Sequence, residues 1–360
     1  VVFSEAEANL SYKKINKVLF IETFTMKKEA LFWKPLHNAS VQCFLCPHHC
    51  IIHENKYGIC GVRRNEQGKL YSLIYQTCSS IAADPIEKKP LYHFYPGSFA
   101  LSLGSIGCTF KCEHCQNYQI SMAKPGEETL REIPAETLPI LTRQYECSGI
   151  AWTYNEPTIW HEYTVEAAKI AKKSGLYTVY VTNGYIEEDP LNELSPFLDA
   201  MNVDVKGFHE DFYKKICKAQ LAPVMSTCEH VKALGLHLEL TYLVIPTLND
   251  DTKEIEAFSR WVMDALGQQT PVHFSRFHPD YKMKDIQATP SATLFKCLQI
   301  AKAAGLQFVY LGNVTHGEYD NTYCPHCGAL LIERYGFSAT IKAFSHGKCT
   351  HCRTTVPIRI

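Results

Sequence analysis

Three cysteines fall within eight residues of the segment GCTFKCEHCQN, at Cys108, Cys112 and Cys115. Thiolates this close together suit a metal, and their number bears on which one. A structural zinc takes four ligands, and a disulfide takes two cysteines. A cubane [4Fe–4S] cluster needs an outside ligand on each of its irons. Three thiolates would leave one iron open, free to chelate the amino and carboxylate groups of S-adenosylmethionine. An electron from the cluster could then cleave the sulfonium bond, giving methionine and a 5′-deoxyadenosyl radical. Zinc held by the three cysteines and His114 is the bland alternative, but that ligand set is cramped on so short a loop. A Cys112–Cys115 redox pair would have no need of Cys108. Covalent haem would need histidine directly after the second cysteine, where Gln116 stands.

Two further sets carry metal-ligand spacing. Cys324, Cys327, Cys349 and Cys352 form C-x2-C-x21-C-x2-C, the pattern of a zinc ribbon. A tail this short cannot bury much core, so metal binding would supply much of its folding energy. Its basic residues show no aromatic-basic stripe that would point to nucleic acid. Cys43, Cys46, Cys50 and Cys60 are separated by two, three and nine residues. That spacing fits zinc or a second iron–sulfur cluster, with His48, His49 or His53 able to replace one thiolate, and it leaves four free thiols open as well.

The elements that would hold these residues follow from periodicity. Short β-rich runs begin at Phe99, Gly149, Tyr177, Met201, His237, Val272 and Gln307. They show little alternation, as strands buried on both faces do. Between them lie helix-period segments: Ile159, Tyr163, Ala167 and Ile170 share one face, as do Ile255, Phe258, Trp261, Val262 and Leu266. Gly175, Gly235 and Gly305 end helices at the usual left-handed cap position. Repeated strand–helix units imply an α/β fold with parallel strands, as a doubly wound sheet or a barrel. In both, functional residues gather at the strands' carboxyl ends. Asn155 and Glu156, Thr182 and Asn183, and Asp204 and Lys206 all stand there. They suit a zwitterionic ligand carrying a ribose. The structural alternatives are that Glu156 caps the helix after Pro157 and that Asp204 and Lys206 pair with each other.

Composition narrows the class. Among 360 residues, 36 Lys and Arg meet 37 Asp and Glu, which leaves no electrostatic footprint for nucleic acid or an anionic membrane. No apolar run approaches the roughly 20 residues of a membrane span. Eleven of the sixteen cysteines are clustered, and the chain shows no secretion signal, so a reducing cytoplasm is expected. Residues 1–25 read as an extension, with translation expected to start at Met26.

CTFKCEHCQN resembles the cysteine signature of radical S-adenosylmethionine enzymes. YNEP, VTNG, VDVKG and LVIPTLND are similar to the branch that holds the activating enzymes of glycyl-radical enzymes, such as that of pyruvate formate-lyase. CFLCPHHCIIHENKYGICGVR, DPIEKKPLYHFYPGS, LGNV and NTYCPHCGALLIERYG further resemble the radical enzyme of the AmmeMemoRadiSam system. The resemblance implies a partial (β/α)6 barrel over 96–316, after a Cys-rich segment and linker over 26–95 and before a zinc ribbon over 317–360. It implies cluster ligands at Cys108, Cys112 and Cys115 and a cofactor pocket at Asp204 and Lys206. Tyr154-Asn155-Glu156 stands where the family has glycine-glycine-glutamate, and His114 stands where it has an aromatic residue. An electron donor such as a flavodoxin or ferredoxin is implied, with MEMO-like and AMMECR-like proteins as associates. The expected reaction is hydrogen abstraction from a substrate that the resemblance does not name. The alternatives are formation of a glycyl radical on a partner protein and a non-catalytic multi-zinc scaffold.

Overall fold

Eight strands form one sheet: β1 (Ser80–Pro85), β2 (Phe99–Gly104), β3 (Gly149–Trp152), β4 (Tyr177–Thr182), β5 (Ala200–Asp204), β6 (His237–Val244), β7 (Val272–Arg276) and β8 (Val309–Gly312). The structure is a computed structural model that describes residues 27–314 and 318–360. The expected extension, the start at Met26 and the boundary at 316–317 lie outside the described residues. The strands lie side by side in chain order, β2 to β8 parallel and β1 antiparallel to β2. A doubly wound sheet reverses its order at a switch point. This sheet never does, so it is wound in one direction. The edge strand β1 falls in a stretch that the sequence pattern reads as linker.

Helices α1 (Leu138–Gln144), α2 (His161–Lys173), α3 (Glu188–Leu194), α4 (Leu221–Ala233), α5 (Thr252–Trp261) and α6 (Ser291–Ala303) fill the crossovers. Gly175, Gly235 and Gly305 follow α2, α4 and α6 with φ of 75°, 73° and 103°, which places them in the left-handed region. Ile150, Trp152, Tyr180, Leu240 and Phe274 pack with Tyr163, Ala167 and Phe258 in the main core between sheet and helices.

On the other face, Ala100, Ala151, Val179 and Ala200 pack against Ile86, Leu91 and Phe94 of the segment joining β1 to β2. That segment is also stitched across by polar bonds. The buried Glu239 carboxylate accepts the Tyr92 and His93 amides at 3.0 and 2.7 Å, and contacts the His237 and His273 rings at 2.9 and 2.7 Å. These contacts fill the face near the amino ends of the strands and leave the carboxyl ends for a site. The loops after β2 and β7 meet there although four strands separate their origins. Tyr118 stacks on Tyr281 at 4.5 Å, and the Lys282 amide donates to the Glu113 carbonyl at 3.1 Å.

Two small β modules flank the sheet. At the amino end, antiparallel strands carry Cys43, and Arg63 forms a buried ion pair with Glu162 of α2. At the carboxyl end, Leu331, Ile332, Phe344 and Val356 pack on Tyr92, Phe308 and Tyr310. Among the described residues no helix is long and apolar enough to cross a membrane.

Candidate active site at the carboxyl ends of the strands

The three-cysteine loop leaves β2 and is tied down from several elements. The Gly107 amide donates to the Ile120 carbonyl at 2.9 Å, and the Lys111 amide to the Cys217 carbonyl at 2.9 Å. Asn155, just beyond β3, accepts the Ser105 amide at 3.0 Å and donates Nδ2 to the Gly107 carbonyl at 2.9 Å. His48 of the N-terminal module contacts the Thr109 carbonyl at 2.8 Å. Gly107 has φ of 83°, and a Cβ there would sit 2.6 Å from the Cys60 carbonyl oxygen. Only glycine fits both the turn and that contact.

All three thiols are buried or half-buried. Burial pushes the Cys108 and Cys115 thiols up, and a hydrogen bond with Cys217 together with burial pushes Cys112 well up. Burial of this kind makes the thiols poor free nucleophiles, and a bound metal would have to displace their protons. His114 is 4% exposed, and neither ring nitrogen has a partner among the described residues. Its ring packs at 6.1 Å from Phe212. Two orphaned nitrogens buried beside the cysteines are costly in an empty protein. They fit a loop whose remaining contacts come from a bound group.

The expected rim residues gather here, with their protein partners visible. Glu156 does cap the turn after Pro157, accepting the Thr158 amide at 2.9 Å. It also accepts the Thr182 hydroxyl at 2.7 Å and the Asn183 amide at 2.8 Å, clamping the end of β3 to the end of β4. Asn183 donates Nδ2 to the Thr109 hydroxyl at 2.9 Å and lies 3.7 Å from the Cys108 sulfur. Asp204 and Lys206 do form an ion pair, at 2.6 Å, and remain partly open to the rim. Against the pull of burial, Asp204 raises the Lys206 ammonium.

Tyr154 has φ of 72°, in the left-handed region that favours glycine. That explains why a glycine is the expected residue there. Its hydroxyl, bonded to Asp84 at 2.5 Å, holds the ring in place. Sequence reasoning missed Cys217 as a support of this loop and named His48 only as a possible metal ligand. They come from distant segments, and no spacing announces them.

The other two sets differ in geometry. The sulfurs of Cys324, Cys327, Cys349 and Cys352 all lie within 4.8 Å of one another, with Cys324–Cys352 at 3.5 Å and Cys327–Cys349 at 3.7 Å. Four Zn–S bonds of about 2.3 Å give tetrahedral edges of about 3.8 Å, so this group could hold a metal ion. Among the described residues it is the one group gathered that tightly. Cys43 and Cys60 are buried, and Cys46 and Cys50 half-buried, in the N-terminal module.

Comparison with known proteins agrees with this site. The profile of the Radical SAM superfamily matches residues 103–259. An uncharacterized protein of Methanocaldococcus jannaschii is 48% identical over 314 residues, 87% of this chain and 93% of that one. The pyruvate formate-lyase-activating enzyme of Clostridium pasteurianum is 23% identical over 194 residues, 51% of this chain and 81% of that one. A crystal structure of a radical SAM methyltransferase from Sphaerobacter thermophilus is 17% identical, covers 66% of this chain and 71% of that one, and has a TM-score of 0.48. That superfamily implies a [4Fe–4S] cluster and S-adenosylmethionine, and the buried thiols and the orphaned His114 nitrogens fit them. With a matched span that includes the cysteine loop, the chain belongs to the radical SAM superfamily and is an enzyme of that type.

Proposed function

We propose that Cys108, Cys112 and Cys115 hold the cluster and that the carboxyl ends of β3, β4 and β5 hold S-adenosylmethionine. The enzyme then abstracts hydrogen from a substrate of the AmmeMemoRadiSam system, in the cytoplasm. When bound, the cluster and S-adenosylmethionine supply one-electron cleavage of the sulfonium and, through it, hydrogen abstraction. The chain's own part is placement. Glu156 ties the end of β3 to Thr182 and Asn183, carbonyls around Asn155 would accept from the ligand ammonium, and Thr182, Asn183, Asp204 and Lys206 would offer polar contacts to the rest of the ligand. His114 offers ring packing and two free nitrogens.

The meeting of the loops after β2 and β7 supports a sheet curved into the partial (β/α)6 barrel, with its mouth at this rim. We place zinc on Cys324, Cys327, Cys349 and Cys352, and zinc or a second cluster on Cys43, Cys46, Cys50 and Cys60. A flavodoxin or ferredoxin would deliver the electron, and MEMO-like and AMMECR-like proteins would be associates.

The observation that carries this reading is the loop itself, three buried or half-buried thiols on a backbone tied from several directions. Anaerobically reconstituted protein, reduced with S-adenosylmethionine present, is expected to yield 5′-deoxyadenosine. Cys108→Ala, Cys112→Ala and Cys115→Ala should each abolish it. Undiminished turnover in an iron-reconstituted variant would refute the assignment, and zinc in all three sets with no iron would restore the scaffold reading.

The likeness to a pyruvate formate-lyase-activating enzyme favours a second reading, a glycyl radical formed on a partner protein. That reading predicts a persistent radical signal in the partner. A small-molecule substrate instead predicts deuterium transfer from the labelled compound into 5′-deoxyadenosine.

A further inference from the structure

A cavity of about 500 Å³ opens where the cysteine loop, the N-terminal module and the loop after β7 come together. Its volume lies in the range of small-molecule sites. Lys111, Lys124 and Lys282 line it, with Tyr57, Tyr281 and Met122, and no carboxylate does. The chain as a whole carries a formal charge of −1, so three lysines and no acid around one hollow are not a reflection of composition. The nearby acids are turned to other tasks. Glu113 pairs with Lys218 at 3.4 Å, Glu127 accepts the Lys124 amide at 2.8 Å, and Asp280 accepts the Tyr281 amide at 2.7 Å.

The walls are set in place. Tyr281 has φ of 48°, in the left-handed region, and its ring is stacked on Tyr118. A strained aromatic residue at a cavity wall persists where its surroundings impose it. Lys111 stands between Cys108 and Cys112, with Nζ 3.5 Å from the Cys108 carbonyl, so the hollow adjoins the metal-binding loop.

We propose that this cavity binds the phosphate groups of a small molecule and holds it beside the cysteine loop. Lysines act as mobile point charges toward phosphate, and three of them around a half-open hollow match a ligand with two or more negative charges. An extended acidic peptide would need a groove, where the structure offers a hollow. Taking the ligand as the enzyme's substrate rests on the radical reading above, whereas its binding does not.

The test uses the full-length protein with neither reductant nor S-adenosylmethionine, so it is independent of radical chemistry. Pyrophosphate binding is followed by calorimetry at two salt concentrations. The intact protein is expected to bind, and more weakly as salt rises. Lys124→Gln combined with Lys282→Gln should weaken binding by at least about tenfold, while Lys173→Gln on the distant helix α2 should leave it unchanged. Equal unfolding midpoints would confirm that all the variants are folded. Equal pyrophosphate affinity in all three proteins, or no binding to the intact one, would overturn the proposal. So would an oligoglutamate peptide that displaces pyrophosphate at lower concentration than pyrophosphate itself binds. If pyrophosphate binds as expected but reduced protein yields no 5′-deoxyadenosine, the radical reading falls and the phosphate site stands.

Discussion

His93 shows what one buried side chain contributes beneath the site. It is fully buried, its Nε2 meets the Tyr310 hydroxyl at 2.6 Å, and Glu239, His237, His273 and Arg334 surround it. Burial pushes the imidazole down to about 3. The unfolded chain therefore binds a proton near pH 6.5 that the folded chain refuses until far lower pH. The stability tied to His93 is complete above pH 6.5 and drains away as pH falls toward 3. Glu239, held well below the usual carboxylate range by its histidine neighbours despite burial, acts in the same direction at lower pH. Denaturant titrations between pH 7 and 5 should show a loss on the order of 1–2 kcal/mol. His93→Gln should flatten that slope while lowering stability at pH 7. An unchanged slope in the variant would show that other groups carry the acid sensitivity.

Among the elements, α2 does more than cover the sheet. Its first turn carries Glu162, which is buried with Arg63 and also accepts the Leu31 amide at 2.8 Å. Arg63 donates in turn to the Leu31 carbonyl at 3.0 Å. This buried ion pair, with the half-exposed Lys28–Glu166 pair at 3.0 Å, fastens the N-terminal module to the helix behind β3. Removing one partner leaves an unpaired charge in a dry site, which costs about 3–5 kcal/mol. Glu162→Gln is expected to lower the urea midpoint accordingly. Because Cys60 abuts Gly107 and His48 abuts Thr109, its iron content should fall as well. A stability loss of that size with full iron retention would show that the module does not brace the loop.

At the scale of the whole molecule, the sheet is closed from below by parts that are remote in sequence. Arg334 of the C-terminal module donates to the Tyr92 carbonyl at 2.6 Å and to the Thr322 hydroxyl at 2.8 Å. Tyr92 and Tyr310 share an apolar cluster with Leu331 and Phe344. The module that carries the four-cysteine group packs against the end of the sheet opposite the site. If zinc fills that group as proposed, Cys349→Ser should lower the bound zinc by one ion per chain and the thermal midpoint by several degrees. Iron in the three-cysteine loop should remain, because that loop and the tail lie at opposite ends of the sheet. Loss of iron in parallel with zinc, measured by elemental analysis, would show that the two ends of the sheet are coupled.

The sequence by itself determined the chemistry and the succession of elements. Cys108, Cys112 and Cys115 are legible because three ligands on one short loop need no tertiary structure to be neighbours. The parallel strands are legible because burial on both faces selects long apolar runs, and the capping glycines because only a left-handed residue ends those helices economically. The roles of Glu156 as a cap and of Asp204 with Lys206 as a pair were open alternatives, decided by distances that local sequence does not encode. Only the tertiary structure decided the direction of winding, the antiparallel edge strand, and the convergence of Cys217, His48 and the three lysines on the cysteine loop. Those features depend on contacts between residues far apart in the chain. Such contacts are fixed by how sheet, helices and modules share one core, and no spacing along the sequence records them.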